Sequence, residues 1–92
     1  MTFELVKVIK VEPRGAYRVH IWFSNGEAGE RDLADVIGAG GDVVAPIRDP
    51  AEFARVFVQN GGLAWPSGFD LDAIALHREM ADAGLLNAAE AV

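Results

Sequence analysis

Cysteine is absent from the 92 residues. That excludes disulfide staples and thiolate chemistry, and it places the chain by default in the cytoplasm. Hydroxyl side chains are nearly as scarce. Besides Tyr17 there are only Thr2, Ser24 and Ser67. Ser24 and Ser67 stand in turn contexts, where a backbone hydrogen bond accounts for them, so there is little from which to build an activated nucleophile beside a base. Histidine is limited to His20 and His77. Without thiols these fall short of the convergent donors of a metal site, and no metal or other cofactor is expected. No apolar run approaches the roughly 20 residues that span a bilayer. Glu4, Lys7 and Lys10 also interrupt any signal-peptide core, so neither secretion nor membrane insertion is expected.

What remains is still enough to fold. Hydrophobic residues make up 51% of the chain, too many for disorder. The length suits a single domain over residues 1–92, although a chain of this size buries only about 60–65% of its unfolded surface. The net charge of −6 is unevenly placed. Residues 1–23 hold four bases against two acids, and the rest hold four bases against twelve acids. This acidity disfavours a generic nucleic-acid binder, which needs clustered bases. It serves solubility, or meets a basic partner, which includes the chain's own N-terminal part in a dimer.

Patterning predicts an α+β fold: a three-stranded antiparallel meander, then a helix, a short fourth strand and a C-terminal helix. Residues 5–12 read as a strand with a phase slip at Val8-Ile9, which implies a bulge or burial on both faces. In the second strand Tyr17, Val19, Ile21 and Phe23 alternate with Arg18, His20 and Trp22. Asn25-Gly26 reads as a type I′ hairpin. The polar stretch from Glu27 to Leu33 then reads as an edge strand. Residues 32–37 suit one helical turn, Gly38 to Asp42 a mobile turn, and Val43 to Ile47 an extended segment. Asp49, Pro50 and Glu52 open a helix with Phe53, Val56 and Phe57 on one face, stopped by Asn60-Gly61-Gly62. Leu63-Ala64-Trp65 forms the fourth strand. Asp70 caps a helix from Leu71 to Ala83, and residues 88–92 are expected to fray.

Few groups offer chemistry. The glycine cluster at 38–41 lacks the Lys-Ser/Thr pair of a phosphate loop, and Asp32, Asp35, Asp49 and Asp70 all read as helix-start residues. An enzyme is therefore the least favoured class. The strongest surface candidate is Arg18, His20 and Trp22, which share the polar face of the second strand. That face either exposes a tryptophan as a partner anchor or is covered by a helix. The last helix carries apolar residues on two sides. Ala73, Leu76, Met80 and Ala83 form one face, while Leu71, Ile74 and Leu85 lie off it and are candidates for a partner or dimer contact.

The most specific segment is Leu63-Ala64-Trp65-Pro66-Ser67-Gly68-Phe69-Asp70. Its Trp-Pro-x-Gly-x-Asp pattern joins Phe23-Ser24-Asn25-Gly26-Glu27, Asp32-Leu33 and Pro46-Ile47-Arg48-Asp49 ahead of Phe53. With these features, over about residues 6–76, the chain resembles the small bacterial family catalogued as domain of unknown function 2442. The resemblance implies the same α+β order and carries no catalytic or ligand residues. Members resemble components of two-gene, toxin–antitoxin-like pairs, which implies partner binding. Within the motif the residues have structural readings: Trp65 as a core anchor, Pro66 ending the strand, Gly68 permitting the turn and Asp70 capping the helix.

The expectation is a small cytoplasmic interaction or regulatory module that self-associates or binds a protein partner. The alternative is a regulatory domain that binds a small ligand or nucleic acid at a concave site lined by Trp65, Trp22 or Tyr17.

Overall fold

Strict alternation in the second strand gives the first sheet its two unlike faces. The computed structural model of the chain describes residues 5–89. Strands β1 (Val8–Pro13), β2 (Arg18–Phe23) and β3 (Glu27–Asp32) form an antiparallel meander. Val19, Ile21 and Phe23 of β2 are fully buried. Arg18, His20 and Trp22 point the other way, as a period of two requires. The phase slip in β1 is a bulge: Val8 pairs with Phe23 and Lys10 with Trp22, so Ile9 is skipped. Val8 is buried while Ile9 is left 63% exposed.

After β3 come helix α1 (Ala34–Ala39), two 3-10 turns at Gly41–Val43 and Ala45–Arg48, and helix α2 (Pro50–Phe53). Residues 43–47 are therefore not extended. Val44 and Ile47 are both buried, and three-residue spacing aligns them in a 3-10 turn, where side chains at i and i+3 eclipse. The glycine-rich stretch is the end of α1 and the first of these turns.

The α2 helix begins as its sequence dictates, with Asp49 Oδ1 accepting the Ala51 N–H at 3.0 Å. It ends much earlier than the sequence suggested. Val56 is buried, Phe57 exposed and Val58 half-buried, an alternation that β-branched valines favour. Phe57–Gln59 is strand β4, which pairs with β5 (Gly62–Ala64), and β5 pairs with β6 (Asp70–Leu71), forming a second antiparallel sheet. Asn60 and Gly61 do not stop a helix. Both have positive φ, 52° and 77°, and Gln59 pairs with Gly62, which makes them the two-residue type I′ loop. At Asn25-Gly26 only the glycine is left-handed (φ 88°). Its N–H reaches Phe23 O at 3.2 Å, so Ser24 to Gly26 is the three-residue hairpin instead.

Helix α3 spans Ala73–Asp82 and buries Ala73, Leu76 and Met80. Its cap is Asp72, whose Oδ2 accepts the Ala75 N–H at 3.1 Å. Asp70, expected in that role, lies in β6 opposite Ala64. The helix closes through Leu85 N–H to Met80 O at 2.9 Å and Gly84 N–H to Ala81 O at 3.1 Å, the two bonds of a Schellman turn. Strand β7 (Asn87–Ala88) then pairs with Glu27 and Ala28 of β3. Residue 88 is therefore bonded rather than frayed, and β3 is an edge only beyond Ala28. Residues 90–92 of the expected tail lie outside the described residues. Among the described residues no helix is long and apolar enough to cross a membrane. Meander, helices, short strands and C-terminal helix together make a mixed α+β fold.

Because Asp72 makes the capping bond, Asp72→Ala is expected to cost about 1 kcal/mol in urea unfolding. Asp70→Ala is expected to leave the urea midpoint nearly unchanged. Equal losses would contradict the cap assignment.

Candidate interaction surface

The helices pack on one side of the first sheet, where Val19, Ile21 and Phe23 cluster with Leu76 and Met80. The other side carries cross-strand rows fixed by register: Lys10–Trp22–Ala28, Glu12–His20–Glu30 and Arg18–Asp32. Trp22 is half-buried there by side chains of its own face. The His20 ring lies 4.4 Å from it, tilted 52°, and Lys10 Nζ lies 4.7 Å from its centroid, a cation–π distance. The chain from Gly84 to Ala89 bounds this face and leaves a groove of about 830 Å³ lined by His20, Trp22, Glu30, Leu85, Asn87 and Ala88. Leu85 remains 38% exposed.

Of the six candidate contact residues, three come together here: His20, Trp22 and Leu85. Arg18 stands apart, exposed, with its guanidinium donating to Arg14 O at 3.2 Å. Leu71 pairs with Leu63 and packs against the core. With the 39% exposed Ile74 it borders a second groove of about 470 Å³ beside Leu5. The side of the last helix that seemed free is thus partly covered by its own chain.

The Trp-Pro-x-Gly-x-Asp segment is structural. Trp65 is 2% exposed and lies between Phe53 and Phe69, at centroid distances of 5.6 and 5.5 Å. Its Nε1–H donates to Phe53 O at 2.8 Å, which satisfies the polar end of a buried indole. Pro66, Ser67 and Gly68 form the β5–β6 loop. Gly68 (φ 100°) donates to Trp65 O at 2.9 Å, and Trp65 N–H donates to Phe69 O at 3.0 Å. Trp65 lines neither groove described here, and Tyr17 is engaged in packing, with its hydroxyl donating to Arg48 O at 2.5 Å.

Two polar clusters escaped the sequence reading. His77 Nε2 lies 2.7 Å from Glu27 Oε1, a distance that requires the hydrogen on that nitrogen. The Asn25 amide therefore donates to the same carboxylate, at 2.5 Å. The Phe23 ring meets the imidazole edge-on at 5.1 Å. Residues 73, 76, 77 and 80 follow the i, i+3, i+4, i+7 rule, so the helical pattern already placed His77 at the core margin. Its carboxylate partner, 50 positions away, has no local signal. The second cluster joins Arg31 of β3 to Asp35 and Glu79, each at 3.2 Å.

These contacts set the carboxylate titrations. The hydrogen bond from His77, aided by Asn25, holds Glu27 below the usual glutamate range. Arg31 holds Asp35 low in the same way. The imidazole–carboxylate pair lies in neither groove described above, and it fastens the β2–β3 hairpin to α3. Among the described residues no three His, Asp or Glu side chains converge to hold a metal.

The family model described as "Protein of unknown function (DUF2442)" matches residues 8–81. The chain belongs to the DUF2442 family. That span runs from the first residue of β1 into the last turn of α3. It contains the Trp65 junction and the Trp22 face but stops before Leu85 and β7. No curated protein and no solved structure matches the chain.

Two outcomes follow for this DUF2442 chain. Trp65→Ala is expected to lower unfolding free energy by about 3–5 kcal/mol, measured by urea titration; a loss below 1 kcal/mol would place the indole outside the core. Glu27 and Asp35 have lowered folded pKa values, so their stabilisation is present above their unfolded values and lost as pH falls through the folded ones. Stability should therefore begin to decline near pH 4.5. Glu27→Gln should flatten that decline in urea midpoints taken across the acid range.

Proposed function

We propose that this DUF2442 chain is a small cytoplasmic interaction module. It acts by binding a protein partner, a second copy included, through the helix-free face of its first sheet. The observation that carries this reading is Trp22: a large aromatic on a sheet face that no helix covers among the described residues, lining a groove together with the 38% exposed Leu85. Aromatic anchors at the centre of a concave patch commonly dominate protein association. The surrounding charges favour a protein over a nucleic acid. Lys10 and Arg18 are interleaved with Glu12, Glu30 and Asp32, so the described residues of this face form no uninterrupted basic track for phosphates.

Light scattering during size exclusion, over a range of concentrations, tests the reading. The wild-type chain, alone or with a co-encoded protein, is expected to run above its monomer mass. Trp22→Ala is expected to weaken that association by about 2 kcal/mol or more, while the urea midpoint shifts little. Unchanged association in Trp22→Ala, or a strictly monomeric wild type that binds no partner, would overturn the proposal.

A further inference from the structure

The segment that walls the Trp22 groove is held by backbone pairing and by the half-buried Leu86, which packs against the core. β7 contributes two ladder pairs, Glu27 with Ala88 and Ala28 with Asn87. One further bond runs from Ala89 N–H to Gly26 O at 2.7 Å. Asn87 and Ala88 are themselves exposed, so their side chains add little to the attachment. Behind them, Gly29 provides the seat: a Cβ at this position would lie 2.2 Å from Leu85 O, so only glycine lets the Leu85 backbone approach β3 this closely. The segment joins α3 through Ala83 and Gly84, with the Leu85 N–H still bonded to Met80 O, and Gly84 takes φ 72°, which side-chain-bearing residues rarely adopt. It also lies beyond the family-matched span of 8–81.

A strand held this way can be supplied by another molecule. Main-chain pairing to an exposed sheet edge is largely indifferent to sequence, and shallow pockets beside the edge add selectivity. A segment that already fits its own chain makes the same bonds in an identical chain. The balance between the two forms then rests on hinge strain, loop closure and chain concentration.

We infer that the Gly26–Gly29 edge of β3, with the adjoining Trp22 groove, is a strand-docking site whose partner is the Leu85–Ala89 segment of a second copy of this chain. Opening the hinge at Gly84 lets the two copies exchange these segments reciprocally, so each groove is walled by its partner's Leu85. This rests on the reading that the chain associates through this face, and it names the partner and the contact.

The absence of native cysteine permits a clean trap. Full-length Ala28→Cys chains are mixed with full-length Asn87→Cys chains, oxidised slowly and run on a non-reducing denaturing gel. These two positions face each other in register. The expected result is a covalent mixed dimer in excess over either same-variant dimer. It should increase when Gly84→Val is added, because a β-branched residue disfavours the left-handed hinge and relaxes when extended, and it should vanish with Ala89→Pro, which removes the donor to Gly26 O. The Ala28→Cys/Asn87→Cys double variant reports folding, since within one chain it closes its own disulfide. If the double variant closes within the chain and the mixture yields no mixed dimer, strand exchange is overturned. Association that depends on Trp22 without a cross-chain disulfide would overturn the exchange and leave the proposed function standing. Absence of both would remove both.

Discussion

The indole of Trp65 ties the two halves of the structure together. Its N–H donates to the carbonyl that ends α2, at Phe53, and its ring lies between Phe53 and Phe69. Phe53 in turn meets Tyr17 edge-on at 5.3 Å, and the Tyr17 carbonyl accepts the Leu33 N–H at 2.8 Å. A single row of aromatics therefore runs from the second sheet, through the short helix, to the start of β2 and the end of β3. In a small domain with little buried surface to spare, this row holds the second sheet and α2 against the meander. On the opposite face of the meander, the described residues place the Trp22 groove, bounded by the chain from Gly84 to Ala89.

That division of labour separates the Trp-Pro-x-Gly-x-Asp segment from the face proposed for a partner. The Trp-Pro-x-Gly-x-Asp residues are consumed by the core and by a three-residue hairpin. The other tryptophan stands on the uncovered face, ringed by His20 and Lys10 and walled by a C-terminal strand beyond the family span. The carboxylate–imidazole contact of Glu27 and His77 fastens the same hairpin to α3, and Glu27 is also where β7 pairs. Glu27 thus takes part in both the contact with α3 and the pairing of the last strand.

Much of the meander was legible because its signals are local. Alternation in residues 17–23 sorts buried from exposed side chains without reference to any other part of the chain. The slip at Val8-Ile9 likewise marks the bulge directly. The errors arose where one local signal has two readings. Asn followed by Gly ends a helix or turns a hairpin with the same left-handed geometry. Only the partner strand at Leu63 distinguishes them, which is why Asn60-Gly61 reads as a helix stop in sequence but turns a hairpin in the structure. Asp70 and Asp72 are equally good caps in sequence; pairing of Asp70 and Leu71 with β5 leaves the task to Asp72. Val56, Phe57 and Val58 fit a helical face as well as a strand until Gln59 is paired with Gly62.

The sequence by itself determined the α+β class, the absence of thiol chemistry, the two-faced second strand and the structural weight of Trp65. These depend on residue type and on spacing within a few positions. Only the tertiary structure decided which candidates share a surface. It joined His20 and Trp22 to Leu85, moved Leu71 and Ile74 to another groove, set Arg18 aside and paired Glu27 with His77 across 50 positions. Such neighbours are chosen by the packing of one element on another, and no local periodicity encodes a contact between residues so far apart in the chain.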